Sequence, residues 1–142
     1  VKKLTLTRGE LERNISQDVI RFYIQQLGHT PDKVSCQICD NKLIIILDDS
    51  ITLAEQVLIK EGENELAEEV RSKLDEAIQE PLKQLIENMI GINVIDLFSD
   101  ATLETTRTGI IAVLSEAPSF RQNSSTTKAK SNKPSSGKEK AS

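Results

Sequence analysis

Apolar residues along this chain recur at two periods, and the switches between them mark out its elements. Leu11, Ile15, Val19, Phe22 and Gln26 follow at spacings of three and four, with Ile20, Ile24 and Leu27 widening the same side. That spacing predicts an amphipathic helix over roughly 8–27. Thr7-Arg8-Gly9-Glu10 fits a capping box at its start, Thr7 accepting the Glu10 N–H and Glu10 reaching back to the Thr7 N–H. Gly28 suits a left-handed helix end, and Pro31 prevents continuation. From Lys33 to Cys39 the period falls to two. Val34, Cys36 and Ile38 share one side, Ser35 and Gln37 the other, as in a half-buried strand. Asp40-Asn41 is a candidate two-residue turn. Leu43 to Leu47 follows as a strand apolar on both faces, so both should be covered. Helices on each side would do this, or helices on one and a partner subunit on the other.

Thr52-Leu53-Ala54-Glu55 repeats the capping-box pattern and opens a short helix to about Lys60. Gly62 marks a bend. The series Leu66, Val70, Leu74, Ala77/Ile78, Leu82, Leu85/Ile86, Met89 is helical, with Glu65, Glu68, Glu69, Lys73, Glu76, Glu80 and Lys83 on its solvated side. Pro81 falls inside it, at an interior cost of about 3 kcal/mol, and predicts a kink or a fresh helix start. Gly91 ends the pattern. Ile92 to Ser99 predicts a third strand, Asp100 to Thr106 a polar loop, and Arg107 to Ser115 a fourth strand. The order α-β-β-α-α-β-β places the chain in the α+β class, as one antiparallel four-stranded sheet packed with helices. The strand order stays open.

Composition divides the chain in two. Residues 1–116 carry the periodic apolar positions and a net charge of −9; residues 117–142 are mostly Ser, Thr, Lys, Asn, Pro and Ala, with Phe120 the only large apolar residue, and carry a net charge of +5. The first part is expected to be a single α+β domain. The second is expected to be a disordered basic tail, since it has too little apolar surface to offset ordering entropy. Deleting Ala117 to Ser142 is then expected to leave the melting curve nearly unchanged. The acidic head repels phosphate backbones, and the scarce aromatics provide few stacking platforms for single strands. Only the tail could make weak contact with an anionic surface. The longest apolar run, Leu43 to Leu47, is far short of the roughly 20 residues of a membrane helix. No signal segment opens the chain, and a cytoplasmic location follows as the expectation.

The chemistry-bearing residues are few. Cys36-Gln37-Ile38-Cys39 is formally a C-x-x-C. Metal or redox use needs both sulfurs at one point, whereas strand positions three apart face opposite ways, so two ordinary thiols are expected. His29, the single histidine, follows a helix C-terminus that favours a cation and reads as a capping residue. Asp48, Asp49, Asp96 and Asp100 stand in or at the ends of strands, and loops at strand ends can gather oxygen ligands, but the calcium-loop spacing is missing. The phosphate-cradling glycine loop, nucleophile elbow and zinc-helix signatures are all missing. The expectation is no catalytic, cofactor-binding or metal-binding residue, no cofactor, and no enzyme.

Several stretches together resemble the MpsC family, small proteins named after a proposed sodium-translocating, membrane-potential-generating system. They are Thr7-Arg8-Gly9-Glu10-Leu11-Glu12, Gln26-Leu27-Gly28 through Pro31, the apolar second strand running into Leu53-Ala54-Glu55, and Gly91 to Asp100 with its Phe98-Ser99-Asp100 ending. The likeness spans about residues 5–115. It departs at Gly28-His29-Thr30-Pro31, where a more glycine-rich turn would be expected, and at Pro81, where the family helix would run uninterrupted. The resemblance implies an accessory role beside sodium- or inorganic-carbon-linked membrane transport machinery and no catalytic residues. The expected activity is therefore protein–protein contact, with a membrane transport complex as partner at the inner face of a membrane. Self-association as a homodimer is expected separately, because the second strand and the long helix present more apolar positions than two or three helices would cover. The alternative is an ion- or small-molecule-sensing regulatory domain.

Overall fold

The computed structural model describes residues 5–121. Its elements are α1 (Arg8–Leu27), β1 (Lys33–Cys39), β2 (Lys42–Asp48), α2 (Leu53–Lys60), α3 (Asn64–Ile90), β3 (Val94–Thr102) and β4 (Arg107–Leu114). The α-β-β-α-α-β-β order holds, and the four strands form one antiparallel sheet in the order β1-β2-β4-β3. Both capping boxes form. Thr7 accepts the Glu10 N–H at 3.2 Å and Glu10 the Thr7 N–H at 2.9 Å; Thr52 and Glu55 do the same at 3.3 and 3.1 Å. Gly28 ends α1 with φ 65°, a conformation that a Cβ disfavours.

The register explains the core. Cys36 lies opposite Ile45, which lies opposite Ile110, and Ile38, Leu43 and Ala112 form the next row. These side chains face α1 and α3, which bring Leu11, Ile15 and Val19 and Ile78, Leu82 and Ile86; all are buried. Each such Leu or Ile contributes about 1.5–3 kcal/mol. Among the described residues the other face of the sheet has no helix packed on it. Ile44 and Ile46 are only half-buried there, so β2 is helix-covered on one face and not on both.

Four expectations are revised by the packing. First, α3 runs as a single helix through Pro81, without a restart. One backbone bond is lost, but Ile78, Leu82 and Ile86 are anchored on either side of the proline and keep the helix in register. Second, the buried stripe of the first turns of α3 is Ala67 and Arg71, while Leu66 is 43% exposed. Third, Tyr23 is buried on α1 and Ile24 is exposed. Fourth, β3 continues through Asp100 to Thr102, because Gly109, Thr108 and Arg107 on β4 supply ladder partners for these polar residues. The loop thus shrinks to residues 103–106. A register shift between Val94 and Asp96 leaves Ile95 exposed at the start of β3.

Contacts continue past Glu116. Phe120 packs against the core, the Arg8 guanidinium lies 5.5 Å from its ring centre, and the Arg121 N–H donates to the Leu6 carbonyl at 3.1 Å. The remainder of the expected basic tail, 122–142, lies outside the described residues.

Candidate functional site

The end of the sheet where β2 leaves and β4 enters holds a buried polar network. Arg71 on α3 is 4% exposed and Glu55 on α2 is 0% exposed. They form a two-pronged ion pair, Nε to Oε1 at 2.8 Å and Nη2 to Oε2 at 2.7 Å. Arg71 also donates to the Ser50 carbonyl and to Asp75 Oδ1, both at 3.3 Å. Ser50 Oγ lies 3.2 Å from the Thr106 carbonyl and 2.6 Å from Thr108 Oγ1. A carbonyl can only accept, so Ser50 gives its proton to Thr106 and receives one from Thr108. Thr106 is held at φ 59° beside this contact, an uncommon conformation for a β-branched residue. Glu55 does two jobs: its carboxylate closes the α2 capping box and neutralises Arg71.

These contacts set the charge states. Burial alone would raise Glu55, but the Arg71 and Thr52 hydrogen bonds and the Arg71 charge outweigh it and hold the carboxyl below its ordinary value. Asp75 goes the other way. Burial pushes it up, and the Arg71 charge and hydrogen bond only partly offset this. Burial likewise raises the Tyr23 phenol, which has Arg71, Asp75 and Thr108 around it.

Arg71 and Asp75 are also the floor of an open groove of about 850 Å³ between α3 and β3. Glu68, Ser72, Glu76 and Gln79 form the α3 wall; Leu97, Ser99 and Ala101 form the β3 side, and Leu103 and Glu104 the end. The donors of Arg71 are turned toward Glu55, Ser50 and Asp75. Asp75, whose carboxyl is pushed up by burial, lies beside them in the groove. The arrangement has the shape of a docking cleft.

Residues 7–116 match the family described as the Na+-translocating membrane potential-generating system (MpsC). The chain belongs to the MpsC family. No curated protein and no solved structure matches it. No helix among the described residues is long and apolar enough to cross a membrane.

The residues singled out by sequence are scattered over this MpsC-family fold. Cys36 is buried and Cys39 exposed, on opposite faces of β1 as strand alternation requires. Burial, with the Glu12 charge adding to it, pushes the Cys36 thiol up to about 12. His29 Nε2 donates to the Asp49 carbonyl at 2.7 Å, tying the turn after α1 to the exit of β2. Asp48 pairs with Arg107 at 2.7 Å, and Asp100 accepts the Ala101 N–H at 2.9 Å. Asp49 and Asp96 do not join either of them. Sequence reasoning missed Arg71, Asp75, Tyr23, Ser50 and Thr108. Arg71 lies four residues after Ala67 and seven before Ile78, so it stands on the buried stripe of α3. A cation on an apolar stripe, one element after a capping glutamate, was the available signal.

Proposed function

We propose that this chain is a non-catalytic accessory protein that acts by docking another protein in a sodium- or inorganic-carbon-linked membrane transport assembly, from the cytoplasmic side. The observation that carries this reading is the uncovered face of the sheet. Phe98, Ile111 and Ile44 lie side by side across three strands, with Phe98 57% and Ile111 43% exposed. Contiguous apolar surface of this kind marks interaction sites, and an aromatic centre with charged neighbours is the usual anatomy of one. Family membership supplies the membrane context. Self-association belongs to the same reading: Lys42 and Asp96 flank the row on one side and Asp100 and Arg107 on the other, so each flank offers a second copy charges of both signs.

The test is affinity capture from native cells with the full chain and with Ile111→Lys. A membrane transport subunit retained by the first and lost by the second supports the proposal. Retention of the same proteins by both would overturn the assignment to this face. Light scattering of the two proteins reads self-association separately. The sensing alternative rests on the groove beside Asp75 and predicts a ligand-dependent rise in Tm. It ranks second because the donors of Arg71 already point inward.

A further inference from the structure

The strand order β1-β2-β4-β3 leaves two edges, and the fold treats them differently. On the β1 edge, α1 sends Glu12 to accept the Ile38 N–H at 2.8 Å. The β3 edge is capped at its start, where Glu87 accepts the Val94 N–H at 2.8 Å, and then opens. Gln79 donates to the Leu97 carbonyl at 3.0 Å, which shows that the Leu97 backbone points away from β4. By strand alternation the backbones of Ser99 and Ala101 point the same way. The Ala101 N–H is taken by the Asp100 carboxylate. The outward N–H and carbonyl of Ser99 have no protein partner among the described residues. Exposed strand edges of this kind are templates for another strand, and here the template forms one side of a groove whose other wall is a helix.

We propose that the α3–β3 groove takes an extended basic segment of a partner protein, which pairs with β3 around Ser99 as a fifth strand. This deepens the docking function proposed above and rests on it. Strand addition beside a helix is an established mode of peptide recognition, with backbone bonds supplying affinity and alternate side chains supplying specificity. The register fixes the alternation. Residues of the incoming strand on the Ser99 side face the groove, where Glu68, Asp75, Glu76 and Glu104 meet a single cation among the described residues, Arg71, which is already paired with Glu55. Those positions call for Lys or Arg. Residues between them emerge on the uncovered sheet face beside Phe98 and call for apolar side chains. The same charges disfavour a second copy of this chain, because pairing β3 with β3 would bring two sets of carboxylates together. Gln79 is exposed, so its amide yields the Leu97 carbonyl at little cost.

The experiment titrates the full chain with a capped, alternating lysine–valine octapeptide and follows each backbone amide by NMR. Binding is expected, with the Leu97 and Ser99 amides becoming protected, and with affinity at least about tenfold above that of a glutamate–valine octapeptide. Ser99→Pro removes an outward N–H that β4 does not use, a substitution that edge strands accept. It is expected to reduce affinity by about tenfold, the effect of one or two backbone bonds, while Tm stays close to that of the parent. Glu68→Lys with Glu76→Lys, both on exposed helix positions, gives a second route to the same loss should the proline disturb the strand. Equal affinity for the two peptides, undiminished binding by both variants, or protection centred on β1 would overturn the proposal. So would a tenfold gain on removing 122–142, which would assign the groove to the chain's own basic segment, or a dimer by light scattering that Ser99→Pro dissolves. Failure here with the Ile111-dependent capture intact refutes the groove alone, whereas failure of both refutes docking itself.

Discussion

Replacing Arg71 by methionine keeps the volume of the side chain's stem and removes the cation that three groups share. In the native fold Arg71 meets both Glu55 oxygens at 2.8 and 2.7 Å and Asp75 at 3.3 Å. Without it, Glu55 keeps Thr52 as a partner on Oε2, but Oε1 is left buried and unpaired. Breaking a buried pair from one side costs about 3–5 kcal/mol, a large part of the roughly 5–15 kcal/mol that holds a domain together. The expected Tm loss is roughly 10–25 °C for a domain of this size. Glu55→Gln should cost less, because the amide oxygen still accepts a hydrogen bond and Asp75 remains beside the Arg71 charge. The double variant Arg71→Met, Glu55→Leu should recover much of the single loss, since two apolar groups replace the pair, although the α2 cap goes with it. The assay is denaturant unfolding followed by circular dichroism, with the parent, Arg71→Met, Glu55→Leu and the double variant closing a double-mutant cycle. A cost below about 1 kcal/mol for Arg71→Met, or simple additivity in the cycle, would refute the reasoning. Acid titration of the parent adds a signed check. Glu55 sits below its unfolded pKa, so its stabilisation is present above the unfolded value and is lost as pH falls through the folded one. Asp75 is raised, so protonation favours the fold and its ionisation opposes it at higher pH. The two therefore tilt the stability curve in opposite directions, and Asp75→Asn should lose stability more steeply on acidification than the parent does.

Thr106→Gly should stabilise the fold by about 1 kcal/mol by relieving the positive φ at a β-branched residue; urea midpoints will show it, and a loss of stability would contradict the strain. Thiol labelling read by mass spectrometry should modify Cys39 rapidly, with Cys36 reacting only under denaturing conditions, because burial and a pKa of about 12 suppress its thiolate at neutral pH. Two truncations separate the end of the fold from the residues beyond it. Removing 122–142 should leave Tm unchanged to within about 2 °C, whereas removing 117–142 should cost about 1–2 kcal/mol through lost Phe120 packing and the Arg8 contact.

The elements were legible because each rests on a local cause. Capping boxes at Thr7 and Thr52, stop glycines at 28 and 91, and the change of period at Lys33 are all written within a few residues. What the pattern could not supply was any quantity set by a distant partner. The stripe of α3 reads as Leu66 and Val70 only if every charge faces water, and Arg71 faces inward because Glu55 waits on α2. The length of β3 is decided by β4, which offers Gly109, Thr108 and Arg107 to residues whose polarity reads as loop. Pro81 costs one bond locally, and the apolar anchors on both sides of it decide that the helix continues. The groove, likewise, exists only once the strand order puts β3 at an edge beneath α3.

The buried pair and the open edge are parts of one arrangement. Arg71 joins α2, α3 and the exit of β2 through Glu55, Asp75 and the Ser50 carbonyl, while Ser50 continues to Thr106 and Thr108 at the start of β4. These contacts fix the first half of α3, the wall that carries Glu68, Ser72 and Glu76, at a set distance from β3. A hydrophobic isostere of the pair could hold the same elements together, often without loss of stability. What it would lack is direction: a two-pronged guanidinium–carboxylate pair fixes the rotation of α3 about its axis, and with it the side of the helix that faces the groove. The double variant described above therefore separates the two roles. If the pair only stabilises, Arg71→Met, Glu55→Leu should bind the lysine–valine peptide like the parent. If it sets the wall, the variant should fold and yet bind about tenfold more weakly.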